Sequence, residues 1–80
     1  MDADLLQNLE KIHTTELGIA RIKKNLGLAD VDVVVWCKDK IGDANNIAKK
    51  GKNWYVHTEE AVITINSSSF TIITAHKVTN

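Results

Sequence analysis

Apolar residues recur at helical spacing through the first half of the chain and with a period of two through the second. Leu5, Leu6, Leu9 and Ile12 stand at i, i+1, i+4 and i+7, one face of a helix, with Asp2 or Asp4 available to accept the free N–H groups at its start. Thr14 or Thr15 can cap a second helix, whose Glu16 falls in the first turn where the helix dipole favours an acid. Ile19, Ile22 and Leu26 form its buried stripe, and Gly27 is the left-handed stop expected after Leu26. The stretch "DVDVVVWCKDKIGD" carries two patterns. Val31, Val33 and Val35 alternate as in a strand, whereas Val34, Cys37 and Ile41 fall at i, i+3 and i+7 between a capping Asp30 and a terminating Gly42. The cap, the stop and the poor strand character of "CKDKI" favour a third helix; a strand there would change the sheet order.

Beyond Gly42 the segments "NIAKK", "NWYVHT", "AVITIN" and "FTIITAHK" read as strands. Glu59 and Glu60 form a tight connection, and "SSS" a polar turn. Links this short require antiparallel neighbours. The expected architecture is therefore α+β, with two to three N-terminal helices packed on one face of a three- to four-stranded antiparallel sheet. Alternation sorts the faces: Trp54, Val56, Ile63, Ile65, Ile73 and Ala75 toward the helices, and Tyr55, His57, Thr64, Asn66, Thr74 and His76 away from them. Phe70 and Ile72 would then lie on the polar face, which requires that face to be partly covered or the last strand to be turned over.

Eighty residues correspond to one domain, residues 1–80, near the lower limit for a self-sufficient core. With 44% hydrophobic and 25% charged residues the chain is of ordinary globular composition. Its formal net charge of zero gives no global reason to bind nucleic acid or membrane. Locally, Lys49, Lys50 and Lys52 cluster about Gly51, and Arg21, Lys23 and Lys24 make a second basic group. A single cysteine, Cys37, excludes an intramolecular disulfide and fits a reducing, cytoplasmic setting. No apolar run approaches the roughly 20 residues of a membrane span, and "MDADLLQNLEKI" is acidic where a signal peptide is basic.

The candidate chemistry is narrow. His13, His57, His76 and Cys37 lack the short spacings of a metal site. Cys37 falls on an apolar stripe, and Gly51 alone makes no phosphate loop, so no metal or cofactor is expected. What remains is acid–base catalysis on RNA. Cleavage through the 2′-hydroxyl needs a base, an acid and cations for the charge that builds on phosphorus oxygens. His57 and His76 are the candidate pair, and Tyr55 is a substitute acid. Arg21, Lys50 and Lys52 are the candidate clamp, and Trp54 or Tyr55 can stack a base. Thr74 and Lys77 flank His76 as further substrate contacts. On the second helix, Gly18, Arg21 and Asn25 share a narrow arc opposite the apolar stripe; a glycine there costs about 1 kcal/mol against alanine and suggests a close approach by backbone or ligand.

The stretches "KIHTTELGIARIKKNLGL", "VVWCKDKI", "GKNWYV" and "ITINSSSFTIITAHK" together resemble a family of small bacterial proteins known as a domain of unknown function. The resemblance runs from Leu5 to Lys77 and implies no activity. At the level of element order, helices followed by an antiparallel sheet ending in "IITAHK", the chain looks like the RelE-like and barnase-like ribonuclease toxins. That resemblance implies catalytic residues on the last strands, although those toxins are strongly basic and this chain is neutral.

Two functions follow as expectations. One is an RNA-acting protein, possible as a metal-independent ribonuclease, using His76, His57, Tyr55 and the lysines around Gly51. The other is a non-catalytic interaction module, such as a phage or mobile-element inhibitor or an antitoxin-like partner, that docks through a sheet edge or beside Arg21. An apolar last strand also offers an edge for a homodimer.

Overall fold

The computed structural model describes residues 3–78. It has an α+β fold with the helices N-terminal to the strands. Helix α1 spans Ala3–Gln7 and is followed by a 3-10 turn over Leu9–Lys11. Helices α2 and α3 span Glu16–Leu26 and Val33–Gly42, and strands β1 to β4 span Asn46–Lys50, Asn53–His57, Ala61–Asn66 and Ile72–Lys77. The four strands form an antiparallel meander in the order β1-β2-β3-β4. Leu5, Ile12, Ile22, Leu26, Val33, Cys37 and Ile41 pack against Trp54, Val56, Ala61, Ile63, Ile65, Ile72 and Ala75 in one core between the helices and one sheet face. No helix among the described residues is long and apolar enough to cross a membrane.

The first helix is shorter than its apolar pattern predicts. The Asn8 N–H bonds the Leu5 carbonyl at 3.1 Å, and the Asn8 amide takes the Asp4 carbonyl at 2.6 Å, so side chain replaces backbone in the ladder and the helix stops. Leu5 and Ile12 are buried across this break, while Leu6 is left 44% exposed. Asp2 lies outside the described residues. Helix α2 begins as expected: Thr15 is the cap, its hydroxyl accepting the Gly18 N–H, and Gly27 ends the helix at φ 66°.

The stretch 31–41 forms a helix, as expected, from Val33 onward, but the cap is Asp32 in place of Asp30. Its carboxylate accepts the N–H groups of Val34 and Val35. Starting two residues later puts Val33, Cys37 and Ile41 on the buried stripe and leaves Val34 half-buried. Gly42 lies inside the helix, and Asp43, with φ −106°, is the closing residue.

Strand β4 resolves the conflict over its faces by a route that alternation does not contain. Ile63 pairs with Ala75 and Thr64 with Thr74, but Ile65 pairs with Ile72, so Ile73 is an extra residue in a β-bulge. The bulge shifts the phase, turning both Ile72 and Ala75 into the core and leaving Ile73, assigned to the buried face by simple alternation, 40% exposed. Phe70 is not part of the strand. It sits in the β3–β4 loop at φ 59° and packs its ring on Trp54 at 5.3 Å.

Candidate functional site

The face of the sheet turned away from the helices is built in rows by the strand register. One row runs Asn46, His57, Val62, His76; the next runs Ala48, Tyr55, Thr64, Thr74; the third holds Lys50, Asn53 and Asn66. His57 and His76 therefore flank Val62 from two strands that are not neighbours. Two strand spacings of about 4.8 Å separate their backbones, leaving room between the rings for a ligand group but not placing the rings in contact. Both histidines are exposed, and among the described residues neither side chain is engaged in a hydrogen bond. Tyr55 and Thr74 are half-buried one row away, on either side of the buried Thr64.

Beside them Ala48, Lys50, Tyr55 and His57 line a shallow hollow of about 340 Å³. Ala48 makes it: a small side chain between Asn46 and Lys50 leaves the Tyr55 ring uncovered on the β1 side. Lys50 stands at the hollow's rim, and Lys52 lies in the two-residue turn that follows. Gly51 takes φ 61° there at the first turn position, as a type II′ hairpin requires.

Three expected members of the site lie elsewhere. Trp54 is 3% exposed on the helix-facing side, against Phe70, so it has no free ring face to offer a base. Arg21 is exposed on α2, across the sheet from the histidines. Lys77 reaches back to the helix layer, where it lines a different hollow with Leu26, Leu28, Trp36 and Glu60. The arc that holds Arg21 is explained by packing. Gly18 is buried against Thr14 and Thr15, and the Asn25 amide donates to the Ala75 carbonyl at 3.2 Å. The thiol of Cys37 is fully buried, and loss of water around it pushes its pKa up to about 12, so it stays protonated and inert.

Sequence spacing gave no sign of a second polar network at the start of β4. His13 Nε2 lies 3.0 Å from Thr71 Oγ1, which lies 2.7 Å from Ser69 Oγ, and Ser69 in turn reaches the Asn66 side chain. The other ring nitrogen, Nδ1, faces the Lys11 carbonyl at 2.8 Å. A carbonyl only accepts, so the hydrogen bond at Nδ1 is donated by the ring. The network fastens a parallel bridge between His13 and Thr71, in which His13 N–H bonds Phe70 O and Ile72 N–H bonds His13 O.

The chain matches the model of a family described as a protein of unknown function, DUF3781, over residues 6–76. No curated protein and no solved structure matches it.

Proposed function

The chain belongs to the DUF3781 family of proteins of unknown function, and from the chemistry of its open sheet face we propose that it is an RNA-acting protein, a metal-independent ribonuclease. The observation that carries the reading is the pair of exposed imidazoles, His57 and His76, on one face about Val62, with Tyr55, Thr74 and Lys50 around them. A single strand laid over Val62 and Thr64 meets one imidazole on each side of a phosphodiester. One accepts the 2′-hydroxyl proton as that oxygen attacks phosphorus; the other, protonated, gives its proton to the departing 5′-oxygen, leaving a cyclic phosphate. Lys50 and Lys52, further along the sheet and in its turn, hold neighbouring phosphates of the same strand, and the Thr74 hydroxyl, one row from Val62, donates to a non-bridging oxygen. Tyr55, uncovered beside Ala48, stacks a base.

The test is cleavage of a labelled single-stranded RNA in EDTA by the wild type, His57→Ala and His76→Ala, each checked for folding by circular dichroism. Cleavage with a bell-shaped pH profile, lost by at least 100-fold in either variant, is the expected result. No cleavage by the folded wild type, or equal cleavage by all three proteins, refutes it.

A further inference from the structure

The two edges of the sheet are treated differently. In an antiparallel ladder alternate residues direct their N–H and C=O groups to opposite sides. On β4 three of the outward groups, at its start and middle, are taken by the N-terminal half of the chain: Ile72 N–H by the His13 carbonyl at 2.8 Å, Ile72 C=O by the Thr14 hydroxyl at 3.0 Å, and Ala75 C=O by the Asn25 amide at 3.2 Å. On β1 the two-residue turn joins Lys50 to Asn53, so Asn46, Ala48 and Lys50 face β2, while Ile47 and Lys49 direct their backbone groups outward. Among the described residues no hydrogen bond from elsewhere in the chain reaches those of Ile47 or Lys49.

Charge narrows what can occupy this edge. Lys49, Lys50 and Lys52 are exposed at its end, and none of them is in an ion pair among the described residues. A second copy pairing antiparallel about Ala48 would draw six ammonium groups onto one short ladder, which like-charge repulsion opposes. A strand bearing carboxylates would meet three cations. The hollow lined by Ala48, Lys50, Tyr55 and His57 opens beside the same edge and takes an apolar side chain of an added strand.

We propose that the outer edge of β1 takes an extended acidic segment of a partner protein as a fifth strand. The main-chain contacts fall on Ile47 and Lys49, which serve no part of the RNA chemistry, while Lys50, Lys52 and the hollow are shared with that reading, so the test is placed on Lys49. The probe is a labelled peptide, Glu-Val-Glu-Val-Glu-Val-Glu, with a Ser-for-Glu counterpart, followed by fluorescence anisotropy. Lys49→Pro removes an outward N–H that the β1–β2 ladder does not use, and Lys49→Ala controls for the lost charge. Circular dichroism and exchange protection along β2 and β3 report that the Lys49→Pro fold is intact.

The acidic peptide is expected to bind at least about tenfold more tightly than its counterpart. Lys49→Pro is expected to lose about a further tenfold beyond Lys49→Ala, the order of one main-chain hydrogen bond with its strand alignment. The amides of Ile47 and Lys49, fast-exchanging in the free protein, should slow when the peptide is bound. Absence of binding at about 1 mM peptide, or equal binding by the two Lys49 variants, overturns the proposal. Protection of these amides that rises with protein concentration alone overturns it in favour of a second copy, and protection by an RNA oligonucleotide in place of the peptide overturns it in favour of nucleic acid.

Discussion

Replacing Gly18 with alanine should destabilise this protein although the change favours the helix. An added Cβ would lie 2.2 Å from Thr14 Oγ1 and 3.3 Å from Thr15 Oγ1. The first distance is far inside contact, so the Thr14 hydroxyl must move. It is the hydroxyl that donates to the Ile72 carbonyl at 3.0 Å, on a residue that is 1% exposed. Losing that donor strands a buried carbonyl, at a cost of about 1–3 kcal/mol, and an off-rotamer Thr14 adds about 0.5–1.5 kcal/mol. Helix propensity returns about 1 kcal/mol. The net loss is about 0.5–3.5 kcal/mol, each kcal/mol being worth on the order of 4–8 °C of Tm in a domain of this size. The assay is urea unfolding of a double-mutant cycle. In a Thr14→Ala background the hydroxyl is gone, and Gly18→Ala should then stabilise by up to about 1 kcal/mol. Stabilisation by Gly18→Ala in the wild-type background, or no sign reversal in the Thr14→Ala background, would refute the reasoning.

Three further outcomes follow from the same structure. Cys37 keeps its proton up to about pH 12 when folded, against an ordinary value of 9.0, so above pH 9 the unfolded chain binds fewer protons and stability falls as pH rises. The slope attributable to the thiol, about 1.4 kcal/mol per pH unit, should vanish in Cys37→Ala in matched urea melts, and native Cys37 should resist thiol reagents until the protein unfolds. Asp32→Ala should cost about 1 kcal/mol through the lost cap of α3, whereas Asp30→Ala should leave the urea midpoint unchanged. RNA binding, measured by anisotropy, should weaken only gently with salt: two to three lysines predict a log–log slope of about −1.4 to −2.

Much of the fold is legible because its signals are local. The period of two in "NWYVH" and "AVITI" puts Trp54, Val56, Ile63 and Ile65 in the core as alternation requires, and the stops and caps of α2 stand where their residue types put them. What the pattern misses depends on partners distant in sequence or on backbone irregularity. The bulge at Ile73 is invisible in a stretch whose residues all suit a strand, and it decides which isoleucine is buried. Two aspartates two positions apart are equally good caps, and only the packing of Val33 and Cys37 selects Asp32. In the candidate site, Tyr55, His57, Thr74 and His76 are correctly gathered by face. Residue type alone groups Trp54, Arg21 and Lys77 with them, whereas the structure buries Trp54 and sets Arg21 and Lys77 on the helix side. His13 meets Thr71 across 58 positions, a separation that no spacing rule addresses.

The sealing of β4 by His13 and Thr14 also sets the order in which the chain can complete itself. The contacts span 58 positions, and closing a loop of that length costs roughly 3–4 kcal/mol before any contact repays it. The β1–β4 meander, held by tight local turns, can form earlier than that closure. During this interval both outer strands are bare, and the apolar run of Ile72 and Ile73 is free to pair with the same run of another molecule. Refolding yield should therefore fall with protein concentration, and a change that loosens the His13–Thr71 bridge should lower yield more than it lowers the stability of the molecules that reach the native state.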